Sequence, residues 1–114
     1  MSLSRLGDYL DQMLTAASDA RRFVDGMSKE DFLADKRTQQ AVIMSLVIIG
    51  EAAARIMDKH SEFIAGNPEI PWRGMRGMRN RVAHGYFDVN LDVVWDTAQT
   101  ALPDLLLRLE RLRR

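Results

Sequence analysis

Arg79-Asn80-Arg81-Val82-Ala83-His84-Gly85-Tyr86 gathers two arginines, one of the chain's two histidines and a tyrosine into eight residues. Arginine neutralises phosphate charge through a planar fork of donors, and histidine moves protons near neutral pH. Together they suffice for phosphodiester chemistry without a metal. On a helix, Arg79 and His84 stand roughly 140° apart around the axis, at about 100° per residue. One helix therefore holds them side by side only loosely, which points to a second surface such as another copy of the chain. Asn80 and His84 share a face, as do Arg79 and Tyr86. The same residues also fit a helix C-terminus, with cations complementing the dipole and Gly85 ending the helix. Spacing alone leaves both readings open, because an arginine followed by a histidine five positions on is a short pattern.

Other chemistry-bearing residues form no comparable cluster. His60 lies in the polar run Asp58-Lys59-His60-Ser61-Glu62 and reads as a surface residue. Two distant histidines and no cysteine offer no metal-ligand spacing, so neither a metal nor another cofactor is expected. Gly74-Met75-Arg76-Gly77 lacks the length and the lysine of a phosphate loop. Glu51 follows the most apolar part of the chain. It is either a buried carboxylate paired with a cation of the Arg-rich segment or a solvent-facing residue. Arg73 and Arg76 are further supporting candidates. Trp72 and Trp95 read as packing anchors, and Met44, Met57, Met75 and Met78 as core or interface filler.

These residues must be positioned by helices. Leu3, Leu6, Leu10, Met13, Leu14, Ala17 and Val24 recur at the spacing of an amphipathic helix, which Gly26 breaks. Ser28, followed by acids in the next turn, caps a short helix through Phe32 and Leu33. A second long helix begins near Asp35 or Lys36 and is expected to run to about Phe63. Its core face is Val42, Ser45 or Leu46, Ile49, Ala52 or Ala53, and Ile56, and Ala52-Ala53-Ala54 would let a neighbour approach closely. Gly66 to Pro71 reads as a loop. A helix over Trp72–His84 follows, with irregularity expected at Gly74 and Gly77, and then a turn from Gly85 to Asn90. The last helix runs from Leu91 to Leu112, with a kink expected at Pro103. The fold class is all-α: one domain over residues 1–114, an antiparallel bundle of about four main helices plus short ones.

Composition narrows the partners. The formal net charge is zero, which argues against coating nucleic acid by bulk electrostatics. Between Glu69 and Asp88, however, there are four arginines and no acid. The terminal cluster Arg108, Arg111, Arg113 and Arg114 reads as solvated helix-end charge. The absence of cysteine agrees with a reducing compartment. With no apolar signal core, and with Leu46-Val47-Ile48-Ile49 too short to span a bilayer, a soluble cytoplasmic protein is expected.

The chain resembles the HepT-like toxins of the HEPN superfamily. Arg79, Asn80, His84 and Tyr86 carry the resemblance, with Pro68-Glu69-Ile70-Pro71-Trp72-Arg73 and Gly77-Met78 before them. Ile48-Ile49-Gly50-Glu51-Ala52-Ala53 and Val94-Trp95 add to it. The likeness runs in order over about residues 5 to 112. It implies an HEPN-like bundle that forms a homodimer, with Arg79 and His84 of both copies facing one cleft. It also implies an endoribonuclease toxin that cuts RNA without a metal, in a type II/VII-like pair with a minimal nucleotidyltransferase (MntA-like) antitoxin. His84 would transfer protons, Arg79 would stabilise the charged transition state and Asn80 would orient the partners. Tyr86 would receive AMP from the antitoxin, silencing the toxin. The alternative is a non-catalytic partner that binds a nucleotide or is modified at Tyr86, with Arg79 and His84 binding phosphate. A helical dimerisation module without a ligand is a third possibility.

Overall fold

The computed structural model describes residues 2–113, with side chains from Arg5 onward. Met1, Arg114 and the side chain of Leu3 lie outside the described residues. Helix α1 spans Ser2–Phe23. It buries Leu10, Met13, Ala17 and Ala20, a stripe at three- and four-residue spacing. Gly26 turns the chain with a φ of 76°, a conformation that a side chain would disfavour. Helix α2, Lys29–Leu33, opens with a capping box in which Ser28 accepts from the Asp31 amide and Asp31 accepts from the Ser28 amide. This short helix delivers Phe32 into the core, fully buried.

Helix α3, Lys36–Lys59, is the central element, packed between α1 and α5. Asp35 caps it by accepting from the Thr38 amide at 3.1 Å. Val42, Ser45, Leu46, Ile49, Ala52, Ala53 and Ile56 are all buried, the face expected from periodicity. Taken whole, α3 is long and apolar enough to cross a membrane, so the short Leu46–Ile49 run understated its length. Its apolar window is 56% buried by its neighbours, as a core helix requires. The helix also ends earlier than expected. His60 leaves helical geometry at φ −136° and ψ 52°, and α4 restarts over Ser61–Gly66. The break redirects Phe63 edge-on against Trp72, with ring centroids 6.1 Å apart. That tertiary contact outweighs the local preference to continue one helix.

Helix α5 runs from Trp72 to Gly85 and is followed by a 3-10 turn over Tyr86–Asp88. Helix α6, Leu91–Asp96, is capped by Asn90 Oδ1, which accepts from the Asp92 and Val93 amides. It passes through a π-helical turn, Thr97–Ala101, into α7, Leu102–Leu112. Pro103 is therefore absorbed by a widened turn upstream of it. There the Leu102 amide bonds the Thr97 carbonyl, so the next carbonyl, Ala98, would need the amide that Pro103 lacks. Arg21 of α1 supplies the missing donor, placing Nη1 2.9 Å from Ala98 O and 3.2 Å from Gln99 Oε1. No strand occurs among the described residues.

Candidate functional site

The site is built where α5 crosses α3. Trp72 anchors the start of α5, buried and donating Nε1 to the Asn67 carbonyl at 3.0 Å. Met75, Met78 and Val82 turn toward the core. Arg73, Arg76, Asn80 and His84 recur at three- and four-residue spacing on the opposite side. The helix is regular through Gly74 and Gly77, against expectation, because packing of its apolar face offsets a glycine cost of about 1 kcal/mol each. Helix α3 comes closest at Gly50. A Cβ there would lie 2.5 Å from Arg79 Cβ and 2.6 Å from the Met75 carbonyl oxygen. A close approach is thus made at Gly50, two positions before the alanine run, whose residues are themselves buried.

That approach brings Glu51 to Arg79. Arg79 Nη1 donates to Glu51 Oε1 at 2.6 Å, and its Nε donates to Asn80 Oδ1 at 2.9 Å. Both open readings of Glu51 resolve into one arrangement: a half-exposed carboxylate, 47% accessible, paired with an arginine 24% accessible. Such a pair contributes little to stability. What it does is hold the guanidinium plane from two sides, leaving the remaining donors of the fork for an anion.

His84 is exposed in the last turn of α5 and has no hydrogen-bond partner among the described residues. Arg73, Arg76 and Arg81 likewise have no carboxylate within ion-pair distance among them, so this surface of α5 is uncompensated positive charge. Tyr86 falls in the 3-10 turn beyond α5, so the face it would share with Arg79 on an extended helix does not apply. Its ring meets Phe87 edge-on at 5.6 Å, and both are exposed. Trp95 packs against Phe32, with ring centroids 5.3 Å apart and the planes tilted by 39°. His60 is half-buried at the junction of α3 and α4, on different elements from His84. No group of three metal-ligating side chains gathers among the described residues.

Two of the C-terminal cations, Arg108 and Arg113, are paired with carboxylates. Arg108 pairs with Asp104, and Arg113 clamps both oxygens of Asp11, at 2.7 and 3.2 Å, joining α7 to α1. The Arg113 hydrogen bond holds the Asp11 carboxyl below its ordinary value.

Met44, read as core or interface filler, is not in the core but exposed, and with Ile48 it forms an apolar strip on the face of α3 that carries Glu51. A groove escaped the sequence reading altogether. Phe87 is 98% accessible and, with Tyr86, walls a groove of about 360 Å³ against α2 and the first turns of α3. The only sequence signal for the groove was a second aromatic directly after Tyr86.

The family model described as "Ribonuclease HepT-like" matches residues 13–112. A protein named "Probable ribonuclease HepT" from Thermococcus cleftensis is 42% identical over 107 residues, covering 94% of each chain. One named "Putative RNase" from Methanocaldococcus jannaschii is 35% identical over 91% of this chain and 84% of its own. Another so named, from Caldanaerobacter subterraneus, is 35% identical over 85% and 84%. No solved structure matches the chain.

Proposed function

The chain belongs to the HepT-like ribonuclease family, and we propose that it is an RNA-cleaving toxin whose catalytic groups are Arg79, Asn80 and His84. The observation that carries this reading is the Arg79 guanidinium, fixed between Glu51 and Asn80 with its remaining donors open. The ribose 2′-hydroxyl attacks the adjacent phosphorus. A 2′,3′-cyclic phosphate forms as the bond to the 5′ oxygen breaks. His84 takes the 2′-hydroxyl proton, and His84 of the partner subunit returns a proton to the leaving 5′ oxygen. Arg79 stabilises the charge that builds on the phosphoryl oxygens, and Asn80 keeps the guanidinium oriented. Arg73, Arg76 and Arg81 add positive potential along the same helix.

The site works as a homodimer in this proposal. Arg79 and His84 of one copy point in different directions, and the exposed Met44–Ile48 strip beside Glu51 is apolar surface suited to a second copy. Regulation falls to Tyr86, whose exposure suits modification by a minimal nucleotidyltransferase antitoxin in the cytoplasm. An attached nucleotide brings bulk and negative charge to an RNA-binding cleft. That same exposure favours a second reading, a non-catalytic partner for which modification at Tyr86 is the whole function.

The deciding experiment incubates purified protein with end-labelled RNA in excess chelator. Wild type should produce fragments ending in 2′,3′-cyclic phosphate, and His84→Ala should lose about 10²–10⁴-fold in rate. Equal cleavage by the two proteins would remove His84, and activity that needs an added divalent ion would remove the mechanism.

A further inference from the structure

We propose that the groove walled by Tyr86 and Phe87 seats one nucleobase of the RNA, the base neighbouring the phosphate to be cut. The inference rests on the RNA-cleaving reading and adds to it what selects the strand. A phenylalanine almost wholly in water, 98% accessible, is an unspent stacking surface. Tyr86 and Phe87 meet at 87° between ring planes, and both stand in the lining of the groove.

The groove's chemistry suits a base. Leu33, Ile43 and Leu91 make an apolar lining. Gln39 spends its amide nitrogen on the carbonyls of Phe32 and Leu33, at 2.9 and 3.1 Å. Its side-chain oxygen is thereby left as an acceptor for a base amine. Lys36 stands in the same lining with no carboxylate in ion-pair range among the described residues, ready for a phosphate. Asp88 does not line the groove; its carboxylate folds back toward Gly85.

Size and reach agree. About 360 Å³ lies at the lower end of small-ligand sites, room for a single nucleoside. Phe87 follows His84 by three residues, so their Cα atoms are at most about 11 Å apart, a span of the order of one nucleotide. A base seated here must leave its own stack. The preferred substrate is therefore single-stranded or looped RNA, never the interior of a duplex.

The test uses full-length protein with single-stranded RNA carrying 2-aminopurine at successive positions, in a His84→Ala background that keeps the strand intact. One position should be quenched on binding. That quench should vanish in Phe87→Ala and return in Phe87→Trp, with RNA affinity lower in the alanine variant by roughly 5- to 150-fold. With His84 present, Phe87→Ala should raise KM by that factor and leave kcat nearly unchanged. A quench and KM indifferent to Phe87→Ala, in a protein that cleaves RNA, would overturn the groove alone. Phe87→Ala that halves the particle mass in light scattering would do the same, making the ring a contact between copies. Binding and quenching without cleavage by wild type would support the groove and overturn the catalytic reading. RNA that does not bind at all would overturn both.

Discussion

Gly50→Ala probes the crossing on which the Arg79 geometry depends. The new methyl would sit 2.5 Å from Arg79 Cβ and 2.6 Å from the Met75 carbonyl, where ordinary contact begins at 3.4 Å. Both obstacles belong to α5 at or next to its backbone, so a side-chain rotation cannot clear them. Helix α5 must withdraw by about 1 Å, an overpacking that costs roughly 1–3 kcal/mol. Alanine's better helix propensity returns about 1 kcal/mol. The net loss of stability should therefore stay at or below about 2 kcal/mol, read by urea unfolding. Function should suffer more. A retreat of that size stretches the 2.6 Å Glu51–Arg79 bond past hydrogen-bonding range, and misplacement on this scale can cost about 10²-fold in rate. Gly77→Ala is the control, because nothing lies within 4 Å of its added Cβ. It should gain about 1 kcal/mol. A Gly50→Ala protein with wild-type stability and wild-type RNA cleavage would refute the tight crossing and the role assigned to it.

Three further outcomes are expected. Arg79→Lys should lose RNA cleavage nearly as fully as Arg79→Ala, since an ammonium cannot bridge Glu51 and Asn80 while also presenting a fork to phosphate; substantial activity in the lysine variant would reduce Arg79 to a point charge. Tyr86→Phe should remain toxic in the presence of the nucleotidyltransferase and gain no AMP by intact-mass spectrometry, and modification of the variant would move the acceptor elsewhere. Asp11→Asn should lower the melting temperature slightly at neutral pH, because the Arg113 hydrogen bond depresses the folded carboxyl below its ordinary value of 3.8. The Asp11 contribution is complete above the unfolded pKa and disappears as pH falls through the lower folded one, so the two proteins should converge in acid; a difference that grows there would contradict the assignment.

The sequence by itself determined the all-helical class, most of the helices and which residues are candidates for chemistry. Helical periodicity marked the buried faces of α1 and α3, Ser28 and Gly26 marked their punctuation, and the Arg79–His84 segment stood out through residue type alone. These are local signals, carried by side chains within a turn or two of one another. Tertiary structure decided where such signals conflict or fall silent. His60 breaks a helix that propensity would have continued, because the break places Phe63 against Trp72. Pro103 follows a widened turn, and Arg21, some eighty residues earlier, supplies the hydrogen bond that proline cannot. Glu51 was undecided between core and solvent until Gly50 let α5 come close enough for Arg79 to reach it. The groove beside Phe87 joins α2, α3 and the turn after α5, segments with no sequence relation to one another. A pattern along the chain records which side of a helix is apolar; how near another helix can come depends on side-chain volumes meeting across the gap, and only the packed fold sets that distance.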